Sequence, residues 1–315
     1  MSKMSEQRLA VIGIGATGTV LAATLMRQLP DVFLMGRSPD LGKTLKNRGL
    51  HISGEITCNV AVEHYSSQIA DLKKFRPAAI FLTTKAFHLE QVLNDLRDVF
   101  EPGMKIIACQ NGLGPEDLVA DRFGRESALR MSLNYGASLN KAGDVEVTFF
   151  NRPNHMGGLS PQNANFGAQL ANTLTDCGLD TAFVDDIKLF VWKKMVMKCT
   201  MASICAVTGQ TIKEALQYPP SREIADACFQ EVLAVAKSMG YDLGENYLQQ
   251  ALAYLEKVGI HKDSMCNDID NKAPTEIDFL GAKVVDYARA NGLATPFYVT
   301  MTNLVKSIES RYLNH

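Results

Sequence analysis

The sequence predicts an α/β protein in which a doubly wound parallel sheet is followed by an all-helical C-terminal domain. Short apolar strands alternate with helical stretches through about residue 125, and strand signals stop after about residue 186. The chain has 315 residues, 46% of them apolar, which suffices for two domains of ordinary size.

The first strand is the apolar run Leu9 to Ile12. Gly13, Gly15 and Gly18 then form G-x-G-x-x-G, and Thr19 to Gln28 reads as a helix. Strand, turn and helix together give the glycine pattern its meaning. Gly13 permits the tight turn, Gly15 lets the backbone approach a pyrophosphate, and Gly18 lets helix and strand pack closely. Phosphates would rest on the unpaired N–H groups at the helix start, where the macrodipole favours negative charge. The candidate cofactor residues are therefore Gly13, Ile14, Gly15, Ala16, Thr17 and Gly18, in a Rossmann-type domain. The competing reading is an ordinary β–α turn that needed small residues.

The second strand, Val32 to Met35, leads into Gly36-Arg37-Ser38. An NAD site places Asp or Glu near the end of this strand to bind the ribose 2′-hydroxyl. Asp31 comes too early, and Arg37 occupies the tip. Its planar guanidinium can grip a 2′-phosphate. Lys85 follows the apolar strand Ala78 to Leu82, again at a carboxyl end, where ligands collect in open α/β sheets. NADP is thus preferred over NAD, the alternative being two solvated surface cations.

A further strand lies near residues 104–108. Leu129 to Leu133 and Val145 to Phe150 read as strands joined by a turn at Gly143-Asp144, and a helix near 162–176 follows. The remainder reads as helices at 187–206, 221–239, 243–257, 276–291 and 296–311, separated by Pro219-Pro220, Gly240, Gly259, Pro274, Gly292 and Pro296. The expected division is an NADP-binding domain over 1–186 and a helical substrate and catalytic domain over 187–315.

Composition narrows the function classes. A formal net charge of −2 gives no reason to propose nucleic acid or an anionic membrane as partner. No apolar run is long enough to span a bilayer, and the start shows no signal-peptide core. Seven cysteines without C-x-x-C spacing suggest reduced thiols in the cytoplasm. The histidines lack ligand spacing, so no metal is expected.

Lys194 and Lys198 interrupt an apolar stripe formed by Ile187, Phe190, Val191, Met201, Ala202 and Cys205. They are four apart and share one helix surface. A lysine on a buried stripe is costly unless paired or functional, and burial beside a like charge favours proton transfer. Snorkelling of both heads into water is the alternative. Farther on, Thr275 with Asp278 fits a capping box, Glu276 would lie in that helix's first turn, and Ser264 fits a helix cap.

These segments together resemble the ketopantoate reductase family over nearly the whole chain. The likeness is carried by the glycine turn, Lys85, Gln110-Asn111-Gly112-Leu113-Gly114, Trp192-Lys193-Lys194-Met195, Ser264-Met265 and Thr275-Glu276-Ile277-Asp278. It implies NADPH-dependent reduction of a 2-oxo acid to a 2-hydroxy acid in pantothenate synthesis. By resemblance, Lys194 protonates the carbonyl oxygen, Asn111 lies near the nicotinamide ribose and substrate, and Glu276 binds a cofactor ribose. Ser264 binds the substrate carboxylate, Arg37 and Lys85 hold the 2′-phosphate, and Ala137 contacts cofactor. The family's substrate-reading asparagines fall here on Lys198, Ala202, Thr211-Ile212 and His261. That departure points to a different 2-oxo acid, with Lys198 suited to a second anionic group on it. The expected partner is a small-molecule 2-oxo acid, and a homodimer is among the assemblies the chain could form. Two other functions stay open: a D-2-hydroxyacid dehydrogenase on the same scaffold, and an NADP-binding sensor without turnover.

Overall fold

A computed structural model describes residues 7–313. Residues 1–6, in which no signal-peptide core is expected, lie outside the described residues. The chain separates into two compact units, one of residues 1–110 and 114–187, the other of residues 111–113 and 188–315.

In chain order the first unit contains β1 (Leu9–Ile12), α1 (Ala16–Met26), β2 (Val32–Met35), α2 (Pro39–Arg48), β3 (Leu50–Gly54), β4 (Cys58–Val60) and β5 (His64–Ser66). It continues with α3 (Leu72–Phe75), β6 (Ala79–Leu82), α4 (Leu89–Leu96), β7 (Lys105–Ala108), α5 (Pro115–Phe123) and β8 (Ala128–Ser132). Last come β9 (Tyr135–Lys141), β10 (Asp144–Phe150), β11 (Asn154–Gly158), α6 (Ala164–Asp176) and β12 (Thr181–Phe183).

The large sheet has the order β12-β11-β8-β7-β6-β1-β2-β5. Strands β1, β2 and β6 are buried along their whole length, as strands covered on both faces are. The winding direction reverses beside β1, whose neighbours β2 and β6 both run parallel to it. Only β8 against β11 is antiparallel within this sheet, so it is mixed rather than wholly parallel.

A second sheet, β4-β3-β10-β9, departs from the sequence expectation. The segments at 129–133 and 145–150 do not form one hairpin. β8 joins the large sheet, whereas β10 pairs antiparallel with β9, across a turn with Gly143 at φ +78°. β9 ends in four exposed residues, so no apolar pattern marks it, and backbone pairing with β10 decides its conformation. Helix α1 packs against β1 and β2 on one side and β3, β4, β9 and β10 on the other. This double cover explains why Gly18 to Leu25 is buried all round rather than along a stripe.

The second unit is helical: α7 (Ile187–Thr208), α8 (Ile212–Gln217), α9 (Pro219–Ser238), α10 (Tyr247–Val258), α11 (Ser264–Asp270), α12 (Gly281–Ala290) and α13 (Pro296–Glu309). The short α8 and α11 are additions to the expected set. Thr211 and Glu214 close a capping box that starts α8. The capping box expected at Thr275 is absent. Thr275 Oγ1 instead accepts from Ile277 N at 3.2 Å and starts a single 3₁₀ turn, Ile277–Phe279. Asp278 turns away to Lys306 at 2.6 Å, and the Thr275 N–H donates to Glu309 Oε1 at 2.7 Å. α12 therefore begins at Gly281, not near 276. Among the described residues no helix is long and apolar enough to cross a membrane.

Candidate active site

The first unit presents the glycine turn between β1 and α1. Gly13 has φ +104°, and a Cβ there would lie 2.6 Å from Thr84 N. Thr83 Oγ1 donates to the carbonyls of Ile12 and Gly13 at 3.0 and 2.8 Å. The Gly13 N–H donates to Met35 O at 2.9 Å. The carboxyl ends of β6, β1 and β2 are thereby tied together, which brings the Lys85 segment beside the glycine turn. Lys85 is half-buried and precedes a 3₁₀ turn, Ala86–His88. Arg37 is exposed, directly before Ser38, whose hydroxyl caps α2.

Gly15 is the N-cap of α1, so no side chain occupies the first-turn N–H groups. A Cβ at Gly15 would meet nothing within 4 Å, whereas one at Gly18 would lie 2.0 Å from Gly13 O. The cradle therefore fits a phosphate group: open above Gly15, closed beneath Gly18. Gly15 has φ −88°, which any residue tolerates. Gly15→Ala is expected to leave stability within about 0.5 kcal/mol while weakening NADPH binding. Gly18→Ala should lower stability by about 2 kcal/mol or more through overpacking. Urea unfolding and NADPH titration of both variants read the contrast directly.

Two residues of this region carry no sequence signal of their own. Thr83 supports the turn as described, and the Tyr135 hydroxyl donates to Thr17 O at 3.1 Å. Ala137 lies two residues further along β9, opposite Val147, half-buried against the apolar core of this unit. All seven cysteines are buried free thiols, and burial pushes the Cys109 thiol up to about 12. Such thiols are poor nucleophiles. Among the described residues no group of three His, Cys, Asp or Glu side chains could hold a metal ion.

The second unit gathers the other candidates. The segment 111–113 belongs to this unit, although the strand before it does not. Gly112 has φ +107°, with Phe279 O 2.6 Å from where a Cβ would stand. Its N–H donates to Met195 Sδ at 3.2 Å, and the Leu113 N–H donates to Phe279 O at 2.9 Å. These contacts hold Asn111 beside α7. There Lys194 Nζ donates to Asn111 Oδ1 at 3.0 Å, both residues half-buried. The turn that receives Leu113 is the one opened by Glu276, a buried carboxylate. The following turn of α7 carries Lys198, whose Nζ donates to Asp263 Oδ2 at 2.6 Å and Ser264 Oγ at 2.7 Å. Asp263, not Ser264, is the cap of α11: its Oδ1 accepts from Met265 N at 2.9 Å. Ser264 is the exposed first residue of that helix. Asp263 went unrecognised in the sequence because its partner lies 65 residues away.

Residues 9–160 match the family model described as ketopantoate reductase PanE/ApbA, and residues 186–309 match its C-terminal counterpart. A 2-dehydropantoate 2-reductase of Streptococcus pyogenes serotype M1 is 26% identical over 306 residues, covering 95% of this chain and 97% of that one. One from Archaeoglobus fulgidus is 27% identical over 307 residues, covering 98% and 99%. The solved 2-dehydropantoate 2-reductase of Geobacter metallireducens superposes with a TM-score of 0.88 at 23% identity, covering 95% and 99%. D-mandelate dehydrogenase in ternary complex with NADH and anilino(oxo)acetate gives 0.88 at 23% identity, covering 97% and 99%. The two structural likenesses establish the fold; the family models establish descent. The chain belongs to the ketopantoate reductase family, NADP-dependent oxidoreductases acting on CH–OH groups.

Proposed function

We propose that this chain reduces a 2-oxo acid to the 2-hydroxy acid with NADPH, the substrate being 2-dehydropantoate or a relative of it. The observation that carries the reading is the Lys194 Nζ–Asn111 Oδ1 hydrogen bond of 3.0 Å. Bound NADPH would supply the hydride. Its arrival builds negative charge on the carbonyl oxygen, and an ammonium there stabilises that charge and gives up the proton. Asn111 aims the ammonium through its amide oxygen, which leaves its NH₂ group as donor to ribose or substrate. Ser264 serves the substrate carboxylate, Glu276 a ribose hydroxyl, and Ala137 packs on the cofactor. Residues Gly13 to Gly18 receive the diphosphate.

Arg37 and Lys85 are assigned to the 2′-phosphate, because each follows a strand that flanks β1. Loss of one charged hydrogen-bonding partner should cost about tenfold to a hundredfold. Arg37→Ala is therefore expected to lower kcat/KM for NADPH by that factor and leave NADH unaffected. Equal losses with both cofactors would remove Arg37 from the phosphate site.

The test of the whole reading is NADPH oxidation by the purified protein against a panel of 2-oxo acids that includes 2-dehydropantoate, with NADH as control. If none is reduced, the reading fails and an NADP-binding sensor takes its place. A second reading, a D-2-hydroxyacid dehydrogenase working oxidatively, draws support from the shared fold of D-mandelate dehydrogenase. It requires faster turnover of a 2-hydroxy acid with NAD than of any 2-oxo acid with NADPH. Seven buried free thiols suit the reducing cytoplasm. A homodimer is the proposed assembly; a Staphylococcus aureus ketopantoate reductase of the same fold is dimeric.

A further inference from the structure

Lys198 lies one turn beyond Lys194 on α7, and its surroundings bear on which 2-oxo acid is taken. The Lys198 and Asp263 side chains are 16% and 7% exposed, with 2.6 Å between Nζ and Oδ2. Asp263 is held independently through its other oxygen, which caps α11. The carboxylate is thus fixed by the backbone, and the ammonium is fixed by the carboxylate. Such a pair carries no net charge. A second carboxylate on a substrate would meet an ammonium already compensated, beside a negative oxygen.

The same ammonium organises Ser264. Its Oγ accepts from Lys198 at 2.7 Å, so the hydroxyl hydrogen is left to donate elsewhere. The internal alternative, Asp263 Oδ1, is 3.5 Å away, at the outer limit of a hydrogen bond. A hydroxyl that accepts from an ammonium is itself a stronger donor. Ser264 is exposed, which leaves that donor available to a carboxylate from outside. Beyond Lys198 the same face of α7 continues with Ala202 and Cys205, both fully buried. Met265 and Cys266, which follow Ser264, are buried too. Apolar side chains thus flank the ion pair on both helices, which lowers the local dielectric and strengthens its attraction.

We infer, resting on the reductase reading above, that Lys198 is a positioning residue: anchored by Asp263, it sets Ser264 as donor to the carboxylate of a monocarboxylic 2-oxo acid. Steady-state NADPH oxidation is compared for trimethylpyruvate, for 2-dehydropantoate, which is the same skeleton with a hydroxyl, and for the dicarboxylic 2-oxoglutarate. Both monocarboxylic acids are expected to exceed 2-oxoglutarate in kcat/KM by about tenfold or more. Asp263→Asn keeps the cap acceptor but uncovers the Lys198 charge. It should raise 2-oxoglutarate relative to trimethylpyruvate by about tenfold. Lys198→Met and Ser264→Ala should each raise KM for trimethylpyruvate about tenfold and move kcat far less, and the double variant should be no worse than either. Preference of the unmodified protein for 2-oxoglutarate overturns the inference and leaves the reductase reading standing. Multiplicative effects of the two single variants also overturn it. Reduction of none of the three, nor of any other 2-oxo acid, removes the reductase reading itself.

Discussion

Lys194→Ala is expected to lower kcat for 2-oxo acid reduction by about two to four orders of magnitude, the usual contribution of a positioned proton donor. NADPH binding should be retained, because the change leaves untouched the glycine turn proposed for the diphosphate and Arg37 proposed for the 2′-phosphate. Alanine is the best helix former, and position 194 is interior to a 22-residue helix, so α7 itself is not threatened. The amine is held by Asn111, whose place depends on the Gly112 N–H donating to Met195 and the Leu113 N–H donating to Phe279. Asn111→Ala should consequently impair kcat as well, by a smaller factor, since the ammonium remains but is less well aimed. Turnover of the Lys194 variant within threefold of the parent would exclude the amine as proton donor. Loss of NADPH affinity in step with kcat would reassign it to cofactor binding.

The largest stability effect is expected at Arg130, far from any substrate ligand in sequence. Its side chain is 2% exposed, and Nε lies 3.6 Å from Glu116 Oε2, a carboxylate 3% exposed in the first turn of α5. Nη2 donates to Gln110 O at 2.6 Å. Removing one member of a buried ion pair costs about 3–5 kcal/mol, because the other is left charged without its partner. Arg130→Met should therefore lower the unfolding free energy by that amount in a urea titration. Adding Glu116→Leu should recover a good part of it, as both charges are then gone. Equal destabilisation by the single and the double variant would mean that the Gln110 contact, not the ion pair, carries the effect. Gln110 ends the strand segment that leads directly into Asn111, so the Arg130 variant also tests whether that peptide must be held for turnover.

Much of the fold was legible because its signals are local. The apolar runs Leu9–Ile12, Val32–Met35 and Ala79–Leu82 are short, continuous and bounded by turns, as buried parallel strands are. α7 and α13 end within a few residues of their expected limits because proline and glycine mark their flanks. The second sheet was not legible. β3, β4 and β9 are short or largely solvent-facing, and each is held by a partner distant in sequence or by a hairpin partner. A trace of that sheet was nevertheless present in α1, whose apolar residues surround the helix instead of lining one face. A helix over 276–291 is expected too early because Thr275 and Asp278 have the right spacing for a capping box, whereas α12 starts at Gly281. Glu309 and Lys306 on α13 claim those two residues instead.

The sequence by itself determined the glycine turn, the buried parallel strands around it, and the presence of two lysines one turn apart on an apolar helix. Each follows from steric limits or periodicity over fewer than about twenty neighbouring residues. Only the tertiary structure decided what those lysines touch. Lys194 meets an amide 83 residues away, and Lys198 meets a carboxylate 65 residues away. Those partners set whether each ammonium is held by an uncharged amide or stands as half of a neutral pair. A side chain's charge is a property of its own chemistry, but its electrostatic consequence belongs to whatever the folded chain packs against it.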